Sequence, residues 1–377
     1  MRQTPARHTG RLECVPDSCV LARRTHIMNS GEIESLFMSL HRKVLPLPAV
    51  FCCLIASAHA SSVKPPKIPA ISKQYVDEEK LVALKQPAAL AAELEALGKG
   101  TIDERVARLK KKILTDLIFV EGGTFQMGDF GPIWSPDKLP YSDDPTNKPV
   151  HEVTLSSFSI AKYKTTFAEF DVYTEASGTE RAASDKAAAK QRYPAAPAGV
   201  SWQRAKDYCQ WLGNITGQPF DLPTEAQWEY AARSRGQFFV WATDNGNVDF
   251  GRNIPAAGQV KLLTPSGSQR RYPVGLFPPN PLGLYDVSHD NEEWVNDWFD
   301  KDYYQRSPKH DPKGPAGGTM KVARGWPVSD SIVPNTMHRR ARPMELPAEE
   351  TEDLGTISPN YLSQGLRCAV QKSEKIH

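Results

Sequence analysis

Beyond residue 60 the chain carries five histidines, and three of them stand beside carboxylates or arginines in its C-terminal third: His289-Asp290, His310-Asp311 and His338. Imidazole mixed with carboxylate is a donor set for non-haem iron or zinc. These spacings match no compact motif such as His-Glu-x-x-His, so a surface or hydrogen-bonded role is the commoner fate of such residues. Ser201 and Ser329 have no histidine partner nearby in sequence, and a nucleophilic triad is decided by three-dimensional geometry. His338, Arg339, Arg340 and Arg342 crowd into one short segment. That cluster suits an anionic ligand or an acidic protein surface, with ordinary salt bridges as the alternative. There is no phosphate loop, no nucleotide fingerprint and no basic aromatic platform, and a formal charge of +2 makes no electrostatic case for nucleic acid.

Thiol chemistry depends on where the mature chain begins. Residues 38 to 60 read as a secretory signal peptide: a basic start at His41, Arg42 and Lys43, an apolar run from Val44 to Ala56, and Ala58-His59-Ala60 as the cleavage site. The run is about 13 residues, broken by Pro46 and Pro48, and is too short to span roughly 30 Å of hydrocarbon. Residues 1 to 60 are therefore expected to be an extension plus signal peptide, with Met38 the favoured start; a disordered arm is the alternative. The expected location is periplasmic or secreted, with no transmembrane anchor in the mature chain. Removing this segment takes away seven basic and four acidic residues and four of the six cysteines, leaving 39 basic against 40 acidic residues. The remaining pair, Cys209 and Cys368, suggests one disulfide, with two buried thiols as the alternative.

The elements that must position these residues are legible in outline. The full chain has 377 residues, 24% of them charged, and a mean hydropathy of -0.47, which excludes a wholly disordered chain and a multi-span membrane protein. Residues 61–75 read as a Pro/Lys/Ser-rich tether. Residues 76–117 read as a helical hairpin. Its first helix runs to Leu97 with a break at Pro87, and its second opens on a Thr101/Glu104 capping box. A packing arm is the favoured role over a docking element. After Leu117 come short strands, turns and aromatics; all eight tryptophans lie at or beyond residue 134. Ser201 caps a helix that places Cys209 on its apolar face, Thr224 and Gln227 form a further capping box, and Val150 to Ile160 is compatible with a strand.

Eight segments in order carry a family resemblance: IFVEGGTFQMGD (118 to 129), KPVHEVTLSSFSIAKYKTTFAEF (148 to 170), PAGVSWQRAKDYCQWL (197 to 212), FDLPTEAQWEYAARS (220 to 234), YPVGLFPPNPLGLYDVS (272 to 288), EEWVNDWF (292 to 299), KVARG (321 to 325) and QGLRCAV (364 to 370). The chain resembles the formylglycine-generating enzyme, or sulfatase-modifying factor, family. The resemblance implies a single α+β domain over residues 118–372, related to C-type lectins and poor in regular secondary structure. Authentic members oxidise cysteine with two active-site cysteines that bind copper(I), for which soft thiolates are the fitting ligands. Here the matching block, 323 to 343, contains no cysteine, with Trp326 and Pro327 where the family has small residues. A cysteine–copper oxidase is not expected, copper is not expected, and no catalytic residue is assigned. Cys209 and Cys368 match the family's structural disulfide.

The resemblance also implies calcium at the turn before Glu293, where Asp290, Asn291 and Glu293 are the candidate ligands and Glu292 replaces a tryptophan. A second family site is matched only in part, by Asn253 and Ile254. His289, Arg324, Trp326, His338, Arg339, Arg340 and Arg342 make up a candidate ligand surface. The expected role is an exported ligand- or protein-binding module of the cell envelope, its partner an unknown protein or small molecule. The alternative is a periplasmic metal-dependent enzyme of the same family, of the kind involved in siderophore maturation.

Overall fold

The computed structural model describes residues 84, 86–184, 186–189, 191–256, 259, 263, 272–287, 290–325, 335–345, 349–351, 355–357 and 363–376. The expected signal peptide and tether lie outside them, as do His289, Trp326 and Ser329. No helix among the described residues is long and apolar enough to cross a membrane.

Pro87, which cannot continue a helix from its N-terminal side, stands immediately before α1 (Ala88–Ala96). Thr101 and Glu104 close the expected capping box on α2 (Ile102–Thr115). Leu90, Leu94 and Leu97 of the first arm and Leu109 and Ile113 of the second are buried with Tyr163, Phe167 and Phe170 in one apolar cluster. The hairpin is thus a packed part of the core.

The chain then runs through β1 (Leu117–Val120), β2 (Gly123–Met127), the short α3 (Gly131–Trp134), β3 (His151–Leu155) and β4 (Phe158–Ala161). The single strand expected over 150–160 divides at Ser156-Ser157. Its first half pairs with β2 and its second with β1. Next come α4 (Phe167–Ser177), α5 (Lys186–Ala189), α6 (Trp202–Thr216), β5 (Phe220–Asp221) and α7 (Glu225–Ala232). Thr166/Glu169 and Thr224/Gln227 form capping boxes, and Ser201 accepts from the Arg204 amide at the start of α6. The remaining strands are β6 (Glu292–Trp298), β7 (Lys321–Arg324), β8 (Arg339–Arg342), β9 (Glu349–Thr351), β10 (Gly355–Ile357), β11 (Gln364–Gly365) and β12 (Ala369–Val370).

Two four-stranded sheets organise the domain, in the orders β1-β4-β12-β5 and β11-β6-β7-β8. Many short strands and helices joined by long connections make an α+β fold with modest regular structure. The Cys209–Cys368 disulfide, with a Cα–Cα distance of 5.6 Å, ties α6 to the residue just before β12. Both cysteines are buried. The bridge therefore fixes the segment that carries Arg367 into the second sheet's neighbourhood.

Candidate functional site

Helix α7 sets one wall of the site. Glu225, Glu229 and Arg233 recur every four residues and so share a face. Opposite them, Arg324 of β7 and Arg339 of β8 are register partners, which puts both side chains on the same side of the sheet. Arg339 donates Nε and Nη2 to the two oxygens of Glu225 at 2.7 and 2.8 Å. Arg324 donates Nη1 to Glu225 at 2.8 Å, Nη2 to Glu229 at 2.8 Å and Nη2 to the Thr336 carbonyl at 2.6 Å. Arg233 completes the row, donating to Glu229 at 2.9 Å. The Tyr304 hydroxyl donates to Glu225 at 3.2 Å, and Arg339 stacks over its ring at 4.5 Å.

Burial alone would push the Glu225 carboxyl up, but the Arg339 and Arg324 charges hold it below its ordinary range. Asp297 differs: burial and the neighbouring Glu225 charge push it up to about 7, although it accepts the Glu225 amide at 2.8 Å. Arg339 does more than balance charge. Its Nη1 also donates to the carbonyls of Thr146 and Asp300, at 2.8 and 3.2 Å. One buried guanidinium thereby fastens the 129–148 loop and the loop after β6 to β8.

Arg324 and Arg339 were expected on a ligand surface, and here the structure corrects the reading: they are 0% and 2% exposed. Two buried glutamates on one helix face demand cations, and Arg324 and Arg339, pointing inward from the facing sheet, meet that demand together with Arg233 at the end of α7. The half-buried part of the cluster is His338, Arg340 and Arg342. Arg342 forms a bidentate pair with Glu292 at 2.8 and 2.7 Å, and Arg340 lies 3.9 Å from the same carboxylate. Glu292, which stands where the family has an aromatic, is thus matched by arginines two strands away. Burial, together with Arg340 and Arg324, pushes the His338 imidazole down to about 4, so it is neutral near pH 7 and its Nε2 accepts from Arg340 Nε at 3.1 Å.

The 129–148 loop is built on Asp129, whose carboxylate accepts the amides of Gly131, Tyr141 and Ser142 at 3.0, 3.1 and 3.0 Å. Trp134 stacks on Phe238 at 4.6 Å, and Phe130 packs edge-on to Tyr141. On this braced loop Ile133 and Leu139 are 44% and 60% exposed. They are the exposed large apolar side chains among the described residues.

A second polar centre lies where β6 begins. Successive strand residues point to opposite faces, so Glu292 faces the rim arginines and Glu293 faces inward. The Glu293 carboxylate accepts Nε and Nη2 of Arg367, both at 3.0 Å, and Nε1 of Trp228 at 2.9 Å. Lys164, on the segment after β4, sends Nζ to the Asn291 backbone carbonyl and to Asn291 Oδ1 at 3.0 Å, and lies 3.6 Å from Glu293 Oε1. Burial pulls the lysine's pKa down, while the charges of Glu293 and Asp290 oppose it. Of the candidate calcium ligands, Asp290, Asn291 and Glu293 are all buried, with Asp290 in the left-handed region at φ 76. Among the described residues no group of three or more His, Cys, Asp and Glu side chains is arranged to hold a metal ion. Asn253, of the second site, is used internally: its Nδ2 donates to Asp244 at 2.8 Å and its Oδ1 accepts the Asp249 amide at 2.8 Å.

The remaining sequence candidates have structural uses. Asp311 accepts the Ser156 amide and hydroxyl, each at 2.7 Å, next to a bridge between His310 and Thr154. Ser201 caps α6. Glu225, Glu229, Arg233, Lys164 and Arg367 were not singled out from sequence. The i, i+4 spacing of Glu225 and Glu229 was a visible signal for the first pair. Lys164 gave none.

A family model described as the sulfatase-modifying factor enzyme 1-like domain matches residues 103–371. The formylglycine-generating enzyme of Streptomyces coelicolor is 35% identical over 167 residues, covering 41% of this chain and 49% of that protein. The serine/threonine-protein kinase pkn1 of Chlamydia caviae is 29% identical over 255 residues, covering 59% of this chain and 35% of its own length. The inactive C-alpha-formylglycine-generating enzyme 2 of Mus musculus is 32% identical over 179 residues, covering 45% of this chain and 47% of that protein. The chain thus spans about a third to a half of the length of these relatives.

Proposed function

The chain belongs to the sulfatase-modifying factor enzyme 1-like family, and we propose that within it this protein is an exported binding module of the cell envelope without cysteine–copper oxidase activity. The observation that carries the reading is the fate of the block at 323–343. It holds no cysteine, and its two inward arginines, Arg324 and Arg339, are consumed in holding Glu225, Glu229 and the surrounding loops. Copper(I) calls for soft thiolate ligands. The two cysteines beyond residue 60 are joined to each other between α6 and β12. Among the described residues, the large apolar side chains left toward solvent are Ile133 and Leu139 on the braced loop. Fixing loops before a partner arrives lowers the ordering cost of association. A protein partner fits an apolar pair of this kind better than a small polar ligand does. Export is supported by the layout of residues 38 to 60 and by a disulfide that suits an oxidising compartment.

The test has two arms. Purified protein is incubated with copper(I), air and a cysteine-containing sulfatase peptide, and the peptide is followed by mass spectrometry; no formylglycine is expected, and its formation overturns the reading. In the second arm a photo-crosslinking amino acid replaces Leu139, or the exposed Lys375 as a control outside the loop, in the native cell. A discrete protein adduct from position 139 alone is expected. Equal labelling from both positions overturns the assignment of the loop. Stoichiometric iron, copper or zinc in the purified protein would transfer support to the metal-dependent enzyme.

A further inference from the structure

Three oxygens of different kinds converge on one point at the head of β6: the Asn291 backbone carbonyl, Asn291 Oδ1 and Glu293 Oε1. Carbonyl, amide and carboxylate oxygens gathered from a turn are the donor set of a hard cation such as calcium. In this chain the point of convergence is already taken by Lys164 Nζ. We propose that the Lys164 ammonium is the resident cation of this turn, a covalently tethered substitute for a divalent metal, and that the turn is ordered without calcium.

The surroundings fix the lysine in that place. Lys164 is fully buried. The residue after it is fastened by the Thr165 amide donating to the Leu366 carbonyl at 3.0 Å, and the residue before it packs on the core through Tyr163. The oxygens are fixed as well. Gly365 lets the Asn291 side chain approach so closely that a Cβ at 365 would lie 2.5 Å from Nδ2 and 2.6 Å from Oδ1. Arg367 holds Glu293 through two hydrogen bonds, one to each carboxylate oxygen, adding a second positive charge. A calcium ion bound to these oxygens would sit against one ammonium and close to one guanidinium, with like charges repelling at short range in a poorly screened interior. It would first have to displace a buried side chain from among buried oxygens: Lys164, Asn291 and Glu293 are 0%, 1% and 0% exposed. The Asp290, Asn291 and Glu293 set therefore does not fit calcium while Lys164 is in place.

The test is thermal melting of the full-length protein in millimolar calcium chloride and in EGTA, for the wild type and for Lys164→Ser and Lys164→Met. The wild type is expected to melt at the same temperature in both. Lys164→Ser vacates the oxygens and leaves a hydroxyl among them; it is expected to melt several degrees lower in EGTA and to recover part of that loss in calcium. Lys164→Met fills the volume without a charge and is expected to melt lower in both. A rise of a few degrees in the wild type on adding calcium, lost in Glu293→Gln, overturns the proposal. So does a Lys164→Ser protein that matches the wild type in EGTA. If neither variant folds, the calcium titration of the wild type decides the question alone.

Discussion

Replacing Glu225 by glutamine isolates what the buried ionic row contributes. Glu225 receives four hydrogen bonds, from Arg339 Nε, Arg339 Nη2, Arg324 Nη1 and Tyr304, at 2.7, 2.8, 2.8 and 3.2 Å. Its exposure is 2%, and both arginine side chains are at 0%. Glutamine keeps the shape but turns one acceptor into a donor that faces guanidinium N–H groups, and it leaves two buried cations short of a countercharge. Breaking a buried pair by removing one partner costs about 3–5 kcal/mol. With a urea dependence of about 3 kcal/mol per molar for a domain of this size, the midpoint should fall by roughly 1–1.7 M. Glu152→Gln is the control: its ion pair with Lys309 is 2.6 Å long, but both side chains are about half exposed, and the expected loss is about 0.2–1 kcal/mol.

The pH profile gives a second readout of the same perturbation. The Glu225 carboxyl is held below its ordinary value of 4.5 in the folded chain. Its stabilisation is therefore present above that value and is lost as pH falls through the folded pKa. Glu225→Gln should remove that part of the acid sensitivity. Equal midpoint shifts for Glu225→Gln and Glu152→Gln would refute the argument that the interior row, with its position on α7 and β7, organises the loops.

Three further outcomes follow from the geometry. Cys209→Ser with Cys368→Ser opens a loop of 159 residues and should cost about 4–5 kcal/mol on the chain-entropy account, seen as a lower melting temperature that reductant no longer changes. Asp297 is raised from 3.8 to about 7, so its contribution is in place below the unfolded value and is lost as pH rises through about 7; Asp297→Asn should flatten the fall in urea midpoint between about pH 5 and about pH 8. Gly365→Ala places a methyl group 2.5 Å from Asn291 Nδ2 and should destabilise by roughly 1–3 kcal/mol, measured by urea titration; a neutral result would show that Asn291 has room to move.

Local chemistry fixes much of this protein before any folding argument. Capping boxes at Thr101 and Thr224 and the serine cap at Ser201 mark the starts of α2, α7 and α6, because the signals act within one helical turn. The segment order from 118 to 370 identifies the family, and the absence of cysteine from 323–343 is a matter of sequence alone. The expected strand over 150–160 became two because it breaks at Ser156-Ser157 and each half pairs with a different strand, and pairing is a long-range choice. The same holds for the charges. The cationic run at 338–342 does not reveal which members turn inward. Strand alternation and the register with β7 send Arg339 toward α7, while Arg340 and Arg342 meet Glu292. Lys164 is the extreme case: its Nζ meets Asn291, 127 positions away, only after β4 and β6 have taken their places. Sequence determined the elements, the family and the missing thiols. Tertiary structure decided which charges are buried together, because burial and countercharge are properties of the assembled sheets and helices.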